Sequence, residues 1–260
     1  MNAIKDFVRA RPPIYDRVRS LKRSFLGAKS ASFVVLDEFS RAHNGEVNFV
    51  QIGANDGLRN DPLRPFIVRD DWQGVLIEPL PTVFPLLQKN YRYLRRPGLV
   101  FANVAVTVDG RDALSFWSYR DEFLATQNLE DRLSYLRKAS FDRNHVESFL
   151  PDGVDPEKSI QEIRVPCSSL AAILRERLPR GPLHLLAIDA EGYESTLIPG
   201  IDFSTVTPDA VFFESEHLGP DRERVFSHLQ KFGYQIESVG CDSLAVRIGS
   251  APNLELKRGE

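Results

Sequence analysis

The sequence predicts a doubly wound α/β fold, in which helices cover both faces of a mostly parallel sheet. Short, nearly continuous apolar runs end in polar residues, as expected of strands that are buried on both faces of a parallel sheet. Helix-like segments separate several of these runs, and strands that alternate with helices form parallel sheets. The last two runs are joined only by Gly240–Cys241–Asp242, which indicates a hairpin. We therefore predict an antiparallel pair at the end of an otherwise parallel sheet.

The predicted elements follow one another from residue 47 onwards. The strand candidates are VNFVQIG (47–53), GVLIEP (74–79), LVFANVAVTV (99–108), LHLLAID (183–189), DAVFFESE (209–216), and the hairpin runs YQIESVG (234–240) and SLAVRIG (243–249). Caps and prolines indicate helix starts at Asp61–Pro62, at Pro81, at Ser168 or Ser169, and after Gly219, with an end at Gly233. Residues 47–250 are predicted to form one domain, followed by a tail at 251–260.

Residues 110–160 interrupt this alternation and are predicted to form a lid. Asp109–Gly110 reads as a hairpin turn into the strand-like run ALSFWSY. A long polar and aromatic stretch then precedes the next strand candidate, IQEIRVP (160–166). Ligands of open α/β sheets bind outside the carboxyl ends of the strands, so a long insertion there predicts a lid or a substrate wall.

The N-terminal extension, residues 1–46, begins with a basic amphipathic segment. Its first thirty residues hold eight Lys and Arg side chains against Asp6 and Asp16. One interpretation is a peripheral contact with a membrane surface or an acidic glycan through residues 1–30. We favour the other, a helix that covers a sheet face with its charges in solvent, because Pro12–Pro13 interrupts the apolar stripe.

Composition favours a small-molecule or glycan ligand in a reducing compartment. The net charge of −3 and the absence of a basic stripe across the main body argue against nucleic acid. Cys167 and Cys241 are far apart and have no metal-ligand spacing, which predicts neither a disulfide framework nor a zinc site. No apolar run approaches the ~20 residues of a membrane span, and no signal peptide is indicated. We expect a cytoplasmic protein; the sequence does not indicate its oligomeric state.

The loop after the first strand carries Gly53, Asn55, Asp56 and Gly57. The glycines allow close backbone approach by a ligand, but their spacing is not the G-x-G-x-x-G of dinucleotide sites. Glu78 ends the second strand, where a carboxylate can accept hydrogen bonds from ribose hydroxyls in NAD and S-adenosylmethionine sites alike. Nearby acids favour S-adenosylmethionine, because its sulfonium is positive whereas a pyrophosphate would be repelled.

Several motifs in order give a specific family resemblance. They are FVQIGANDGLRNDPLRPF, GVLIEPLP, FANVAV, ASFDRNHV, VPCSSL, IDAEGYE, ESEHL and GYQIESVGCDSLAVR, and they span roughly residues 47–247. Together they resemble the FkbM-type S-adenosylmethionine-dependent methyltransferases. The resemblance implies a class I methyltransferase (Rossmann-like) fold with a mostly parallel seven-stranded sheet and an antiparallel last strand. It also implies transfer of a methyl group to an oxygen, often a sugar hydroxyl of a glycan, glycolipid or natural product.

The resemblance also implies a cofactor site. By position, Gly53, Asn55, Asp56 and Gly57 would line the methionine half, Glu78 the ribose, and Asn103 with Ala105 the adenine side. Gln51 departs from the pattern, since many methyltransferases have an acid there. Asp56 or Asp189 would then bind the methionine ammonium.

Asp189 is the predicted centre of the chemistry. It ends a buried strand, with Glu191 two residues on, and Glu214, Glu216 and His217 cluster at the end of the next strand. Three interpretations stay open: Asp189 caps a helix, binds a divalent ion such as magnesium with Glu191 and Glu214 or Glu216, or acts in proton transfer. For a metal-free reaction we predict His217 as the base, because histidine is the residue type most often used for proton transfer near neutral pH.

The lid supplies the predicted acceptor contacts, Ser140, Asp142, Arg143 and His145, which could bind sugar hydroxyls. The alternative for these residues is a capped, solvated helix start. Two other functions remain open at this stage. They are a nucleotide-dependent oxidoreductase, which would share the role of Glu78, and a non-catalytic module that binds cofactor or glycan.

Overall fold

The computed structural model describes residues 10–26, 30–179 and 181–250. The strands are β1 Asn48–Ile52, β2 Gln73–Ile77, β3 Leu99–Ala102, β4 Ala105–Thr107, β5 Ala113–Tyr119, β6 Ile160–Ser169, β7 Leu185–Ile188, β8 Ala210–Glu214, β9 Tyr234–Val239 and β10 Asp242–Arg247. The α-helices are α1 Pro12–Leu26, α2 Ala31–Ala42, α3 Arg64–Arg69, α4 Phe84–Tyr91, α5 Asp121–Ala125, α6 Leu129–Leu136, α7 Arg143–Glu147, α8 Pro156–Ser159, α9 Leu170–Arg177, α10 Glu194–Gly200 and α11 Arg222–Lys231. Short 3₁₀ segments cover Arg92–Leu94 and Glu216–Asp221.

The main sheet has seven strands in the order β3-β2-β1-β7-β8-β10-β9. All neighbours are parallel except β10, which lies antiparallel between β8 and β9. This arrangement confirms the mostly parallel sheet with an antiparallel last strand. The strand order reverses at β1, which pairs with both β2 and β7. A crevice at the carboxyl ends of strands around such a reversal is the usual ligand position in this class of sheet.

A second sheet has three strands in the order β4-β6-β5 and supports the lid. It corrects two predictions. The run at 99–108 is not one strand, because the chain leaves the main sheet at Asn103 and Val104 and continues as β4 in the second sheet. Asp109–Gly110 does not close a hairpin, because β6 lies between β4 and β5 and pairs with both. The predicted lid has an apolar cluster of its own beneath this sheet, which includes Phe116, Leu124 and Val146.

Helix starts follow the capping signals with small shifts. The hydroxyl of Ser169 caps α9 by accepting from the Ala172 N–H at 3.2 Å. Asp61 accepts from the Leu63 and Arg64 N–H groups, but the N-cap position of α3 is Leu63, and the helix begins two residues after Pro62. The α4 helix begins at Phe84, three residues after Pro81.

The described part of the N-terminal extension packs against the domain. Leu36 and Phe39 of α2 are fully buried in the cluster that covers one face of the main sheet. In α1, Asp16 forms an ion pair with buried Arg64 at 2.8 Å. No helix among the described residues has the length and apolar character of a membrane span. Residues 1–9, 27–29 and the tail at 251–260 lie outside the described residues, so a peripheral membrane contact stays a prediction.

Candidate active site

Two cavities open at the carboxyl edge of the main sheet and share a wall. The first has a volume of about 280 Å³ and lies between the loop after β1, the end of β2, the start of β4 and the lid. The second has a volume of about 360 Å³ and lies over the ends of β7 and β8, against α1 and α2. Residues that line both cavities are Gln51, Asn60, Asp61, Pro62 and Asp189. The shared wall therefore contains the predicted centre, Asp189.

Glu78 is a fixed carboxylate in the first cavity. It follows β2, is 4% exposed, and accepts backbone N–H bonds from Asn55 at 2.9 Å and Leu80 at 2.8 Å. Burial raises the pKa of Glu78 to about 7, although these N–H bonds favour its charged form. Each oxygen keeps a lone pair free for a ligand hydroxyl. Glu78 thus has the geometry expected of a ribose-binding carboxylate.

The glycines of the β1 loop serve the protein's own packing. Gly53 has φ +79°, and a Cβ atom there would lie 1.6 Å from the Asp189 carbonyl oxygen. A Cβ atom at Gly57 would lie 2.4 Å from the Tyr91 ring. The sequence indicated that a ligand approaches these glycines closely. In the structure, the residue after β7 and the α4 helix make that close approach instead. Of the two glycines, only Gly53 also lines the first cavity.

The structure divides the eight predicted cofactor residues into two groups. Gly53, Asn55, Glu78, Ala105 and Asp189 line the first cavity, whereas Asp56, Gly57 and Asn103 do not. The buried Asp56 carboxylate accepts from the Leu58 and Arg59 N–H groups and pairs with the Arg59 guanidinium at 2.5 Å.

Asn103 has an indirect place in the same site, because its amide donates to the backbone carbonyls of Glu78 and Pro79. Asp56 and Asn103 therefore shape the loops around the cavity rather than its surface. Of the two acids predicted to bind the methionine ammonium, only Asp189 faces the cavity.

Acidic side chains surround Asp189. Desolvation, followed by the negative charges of Glu191 and Glu214, raises the pKa of Asp189 well above its ordinary value. Desolvation and nearby acids, Glu194 foremost, also raise the pKa of Glu214 to about 7. The helix-cap interpretation of Asp189 is wrong, because Glu194 instead accepts from the Ala190 and Gly192 N–H groups before α10.

The predicted metal ligands are only partly brought together. One carboxylate oxygen from each of Asp189, Glu194 and Glu214 lies within 4.8 Å of the others, and this is the only such group among the described residues. Glu191 and Glu216 do not belong to it, so the predicted set is corrected to one that contains Glu194. Reasoning from sequence missed Glu194 because it lies beyond the turn after β7, at the first residue of a helix. Both of its oxygens already accept backbone N–H bonds.

The four predicted acceptor contacts of the lid line neither cavity. Asp142 caps α7 through the Asn144 N–H, and Arg143 pairs with Glu147 and Glu157, as the alternative interpretation expected. The Ser140 hydroxyl donates to the Glu191 carbonyl oxygen, and His145 Nε2 lies 3.4 Å from a Glu191 carboxylate oxygen. The lid residues that do line the first cavity are Phe116, Ser134, Leu136, Arg137, Lys138, Ala139, Phe141 and Phe149. Their apolar members were indistinguishable from lid core in the sequence.

His217 is half exposed and lines neither cavity. Its Nε2 atom lies 3.6 Å from a Glu214 carboxylate oxygen, and its ring is 6.3 Å from that of His145. The predicted base is therefore close to the acidic group but separated from the cavity surface. Its role in proton transfer stays a prediction.

One family model matches most of this chain. A family model described as a methyltransferase FkbM domain matches residues 51–236. The chain is similar to the solved FkbM methyltransferase from Methylobacillus flagellatus KT, with 13% identity and a TM-score of 0.46 over 78% of this chain and 44% of that one. It is also similar to a human methyltransferase 10 domain containing protein, with 11% identity and a TM-score of 0.44 over 92% and 96% of the two chains. A search of curated proteins found no match.

The chain thus spans less than half of the Methylobacillus protein. The family match, however, covers more than half of this chain and runs from β1 to β9. It contains the Glu78 carboxylate, the β1 loop and the acidic group around Asp189, all of which lie at the carboxyl edge of the sheet. The chain belongs to the FkbM methyltransferase family.

Proposed function

We propose that this protein is an S-adenosylmethionine-dependent O-methyltransferase that acts on a hydroxyl of a glycan, glycolipid or other small molecule. One observation carries the proposal. The first cavity holds a carboxylate suited to ribose hydroxyls, Glu78, together with the carboxylate of Asp189, which lines the cavity and which other acids surround. A ligand that combines a ribose with positive charge fits both features, whereas the pyrophosphate of a dinucleotide would be repelled by the acids.

The residues of the first cavity would divide the cofactor between them. Glu78 would accept the ribose hydroxyls, and Asp189 would pair with the positively charged methionine half. Ala105 and Phe116 provide apolar surface in the same cavity, against which an adenine ring would pack.

When bound, S-adenosylmethionine supplies a methyl group on a positive sulfur. Transfer of this methyl group to an alcohol breaks a carbon–sulfur bond, forms a carbon–oxygen bond and releases one proton. A carboxylate in water is a poor acceptor of that proton because its pKa is low. Asp189 has a raised pKa and lies in the shared wall of the two cavities. We therefore assign proton acceptance to Asp189, with Glu214 next to it.

The binding experiment uses S-adenosylhomocysteine and NAD⁺ in isothermal titration calorimetry. We expect S-adenosylhomocysteine to bind and NAD⁺ not to bind. Glu78→Gln keeps the size of the side chain but removes its charge, so it should weaken S-adenosylhomocysteine binding by about 1.5–3 kcal/mol, the range for charge-assisted hydrogen bonds.

The matched control is Glu162→Gln, which makes the same change at an exposed position of β6. It should leave the affinity unchanged. NAD⁺ binding as tight as that of S-adenosylhomocysteine would replace the proposal with the oxidoreductase alternative. Equal affinities in wild type and Glu78→Gln would remove Glu78 from the site.

A further inference from the structure

The second cavity has no role in holding the cofactor as proposed above, yet it reaches the same Asp189. Its floor is the carboxyl edge of β1, β7 and β8, and its other walls include Asp242 at the start of β10 and Phe33 of α2. The Ser32 hydroxyl donates to the Asp242 carboxylate at 2.6 Å, which joins α2 to β10 beside the cavity. The N-terminal extension, rather than the lid, therefore encloses this space.

The shared wall contains a buried, unpartnered acceptor, the side-chain oxygen of Gln51. The Gln51 side chain is 4% exposed and lines both cavities. Its Nε2 group donates to Asp61 at 3.2 Å, which fixes the orientation of the amide. Its Oε1 atom is buried and has no hydrogen-bond partner among the described residues. Such an oxygen costs about 1–3 kcal/mol unless a ligand or water donates to it, so a ligand donor is expected here.

The lining of the second cavity is rich in carboxyl groups. The carboxylates in its lining are those of Asp61, Asp189, Glu214 and Asp242, and the basic residue in the lining is Arg19. Arg19 donates to the Tyr15 hydroxyl at 3.3 Å. Desolvation raises the pKa of Asp242, with Glu216 adding to the shift, in the same direction as at Asp189 and Glu214. An anionic ligand such as a sugar phosphate would be repelled, whereas a cation would relieve the repulsion between the acids.

We infer that the second cavity is the acceptor site, and that its acceptor is a hydroxylated compound with a protonated amine, such as an amino sugar. The ammonium group would bind Glu214 and Asp242, and a hydroxyl would donate to Gln51 Oε1 near Asp189. The inference rests on the proposed function, because the shared wall is where a methyl donor in the first cavity and an acceptor in the second would meet. It assigns acceptor binding to residues of α2, β8 and β10 instead of the lid.

The test measures sugar binding by saturation-transfer NMR with full-length protein saturated with S-adenosylhomocysteine. The probes are two matched pairs, glucosamine with glucose and galactosamine with galactose. We expect at least one amino sugar to bind about tenfold more tightly than its neutral partner, as one charge-assisted hydrogen bond provides. Asp242→Asn should reduce that preference severalfold while S-adenosylhomocysteine affinity stays within about twofold. Glu214→Gln should independently reduce the preference severalfold.

The control is Asp152→Asn, the same change at an exposed residue of the lid, which should keep the full preference. Equal binding of amino and neutral sugars, or no binding of any sugar to protein that binds S-adenosylhomocysteine, would overturn the inference and leave the proposed function intact. An amine preference that survives both Asp242→Asn and Glu214→Gln would place the site elsewhere and also overturn it. Failure of S-adenosylhomocysteine to bind would instead reject the proposed function.

Discussion

The side chain of Asp189 combines exposure to ligand with an unusual charge environment. It lies in the wall between two cavities, while desolvation and the acids around it disfavour its charged form. Gly53 secures this position, because any Cβ atom there would collide with the Asp189 carbonyl oxygen. The backbone of β1 can therefore approach β7 closely enough to hold Asp189 between the cavities.

Replacement of Asp189 tests its proposed role as proton acceptor. Asp189→Asn keeps the shape of the side chain but removes the proton acceptor, so we expect turnover to fall about 10²-fold or more. The measurement is transfer of labelled methyl from S-adenosylmethionine to glucosamine and galactosamine. EDTA-treated wild type should keep full activity, because Glu194 already accepts two backbone N–H bonds and is a poor metal ligand.

Two outcomes would contradict this assignment. Full activity of Asp189→Asn would leave proton transfer to another group, and His217→Ala would then be the next variant to assay. Activity that EDTA removes and magnesium restores would assign Asp189, Glu194 and Glu214 to a metal site.

Residue positions at strand ends were predictable, but side-chain directions in loops were not. Glu78 and Asp189 each follow an apolar run, and the register of a buried strand fixes where such a run ends. Asp56 lies in a loop where Asn55 and Gly57 both have positive φ angles. Those angles turn the Asp56 carboxylate towards its own backbone, and the sequence carries no signal for that direction.

The elements show the same division between what a pattern predicts and what packing decides. The parallel strands and the final hairpin follow from apolar runs and turn residues, and both are confirmed. The break between β3 and β4 was missed because both strands are apolar and adjacent in sequence. The break lies at Asn103, whose amide donates to the backbone carbonyls of Glu78 and Pro79. That contact is made with another part of the chain, so the local apolar pattern does not indicate it.

The α1 helix is joined to the β1 loop through Arg64. The Arg64 side chain is 2% exposed, pairs with Asp16 of α1, and donates to the Gly57 carbonyl oxygen at 2.6 Å. The Tyr93 hydroxyl donates to the same Asp16 carboxylate. Docking of α1 therefore reaches the loop that borders the first cavity.

Asp16→Asn should destabilise the protein by about 3 kcal/mol, because it leaves a buried guanidinium without its counter-charge. Urea denaturation measures the loss. The double variant Asp16→Asn with Arg64→Met should recover part of the lost stability, since no unpaired buried charge remains.

As a control, Asp71→Asn removes an exposed partner of Arg96 and should change stability by less than about 1 kcal/mol. Equal losses in Asp16→Asn and Asp71→Asn would contradict this prediction, because the buried ion pair would then contribute no more to the free energy of unfolding than the exposed one.

Across the whole molecule, raised carboxyl pKa values concentrate at one edge of the sheet. The pKa values of Glu78 and Glu214 are about 7, and those of Asp189, Glu194 and Asp242 are also raised. In the unfolded chain these groups would titrate near pH 4, so the folded protein binds more protons than the unfolded chain between about pH 4 and 7. Such groups make the free energy of unfolding decrease as the pH rises through that window.

We therefore expect the ligand-free protein to be less stable at about pH 8 than at about pH 5.5, by about 2 kcal/mol or more in urea denaturation. His43 and His145 act in the same direction, because their raised pKa values give stability that is lost as the pH rises. His184, whose pKa is lowered by desolvation, opposes the trend.

Glu214→Gln should flatten the pH dependence, whereas Glu162→Gln, at an exposed position, should not. Stability that increases from pH 5.5 to 8 in the wild type would contradict the concentration of protonated carboxyls at this edge of the sheet.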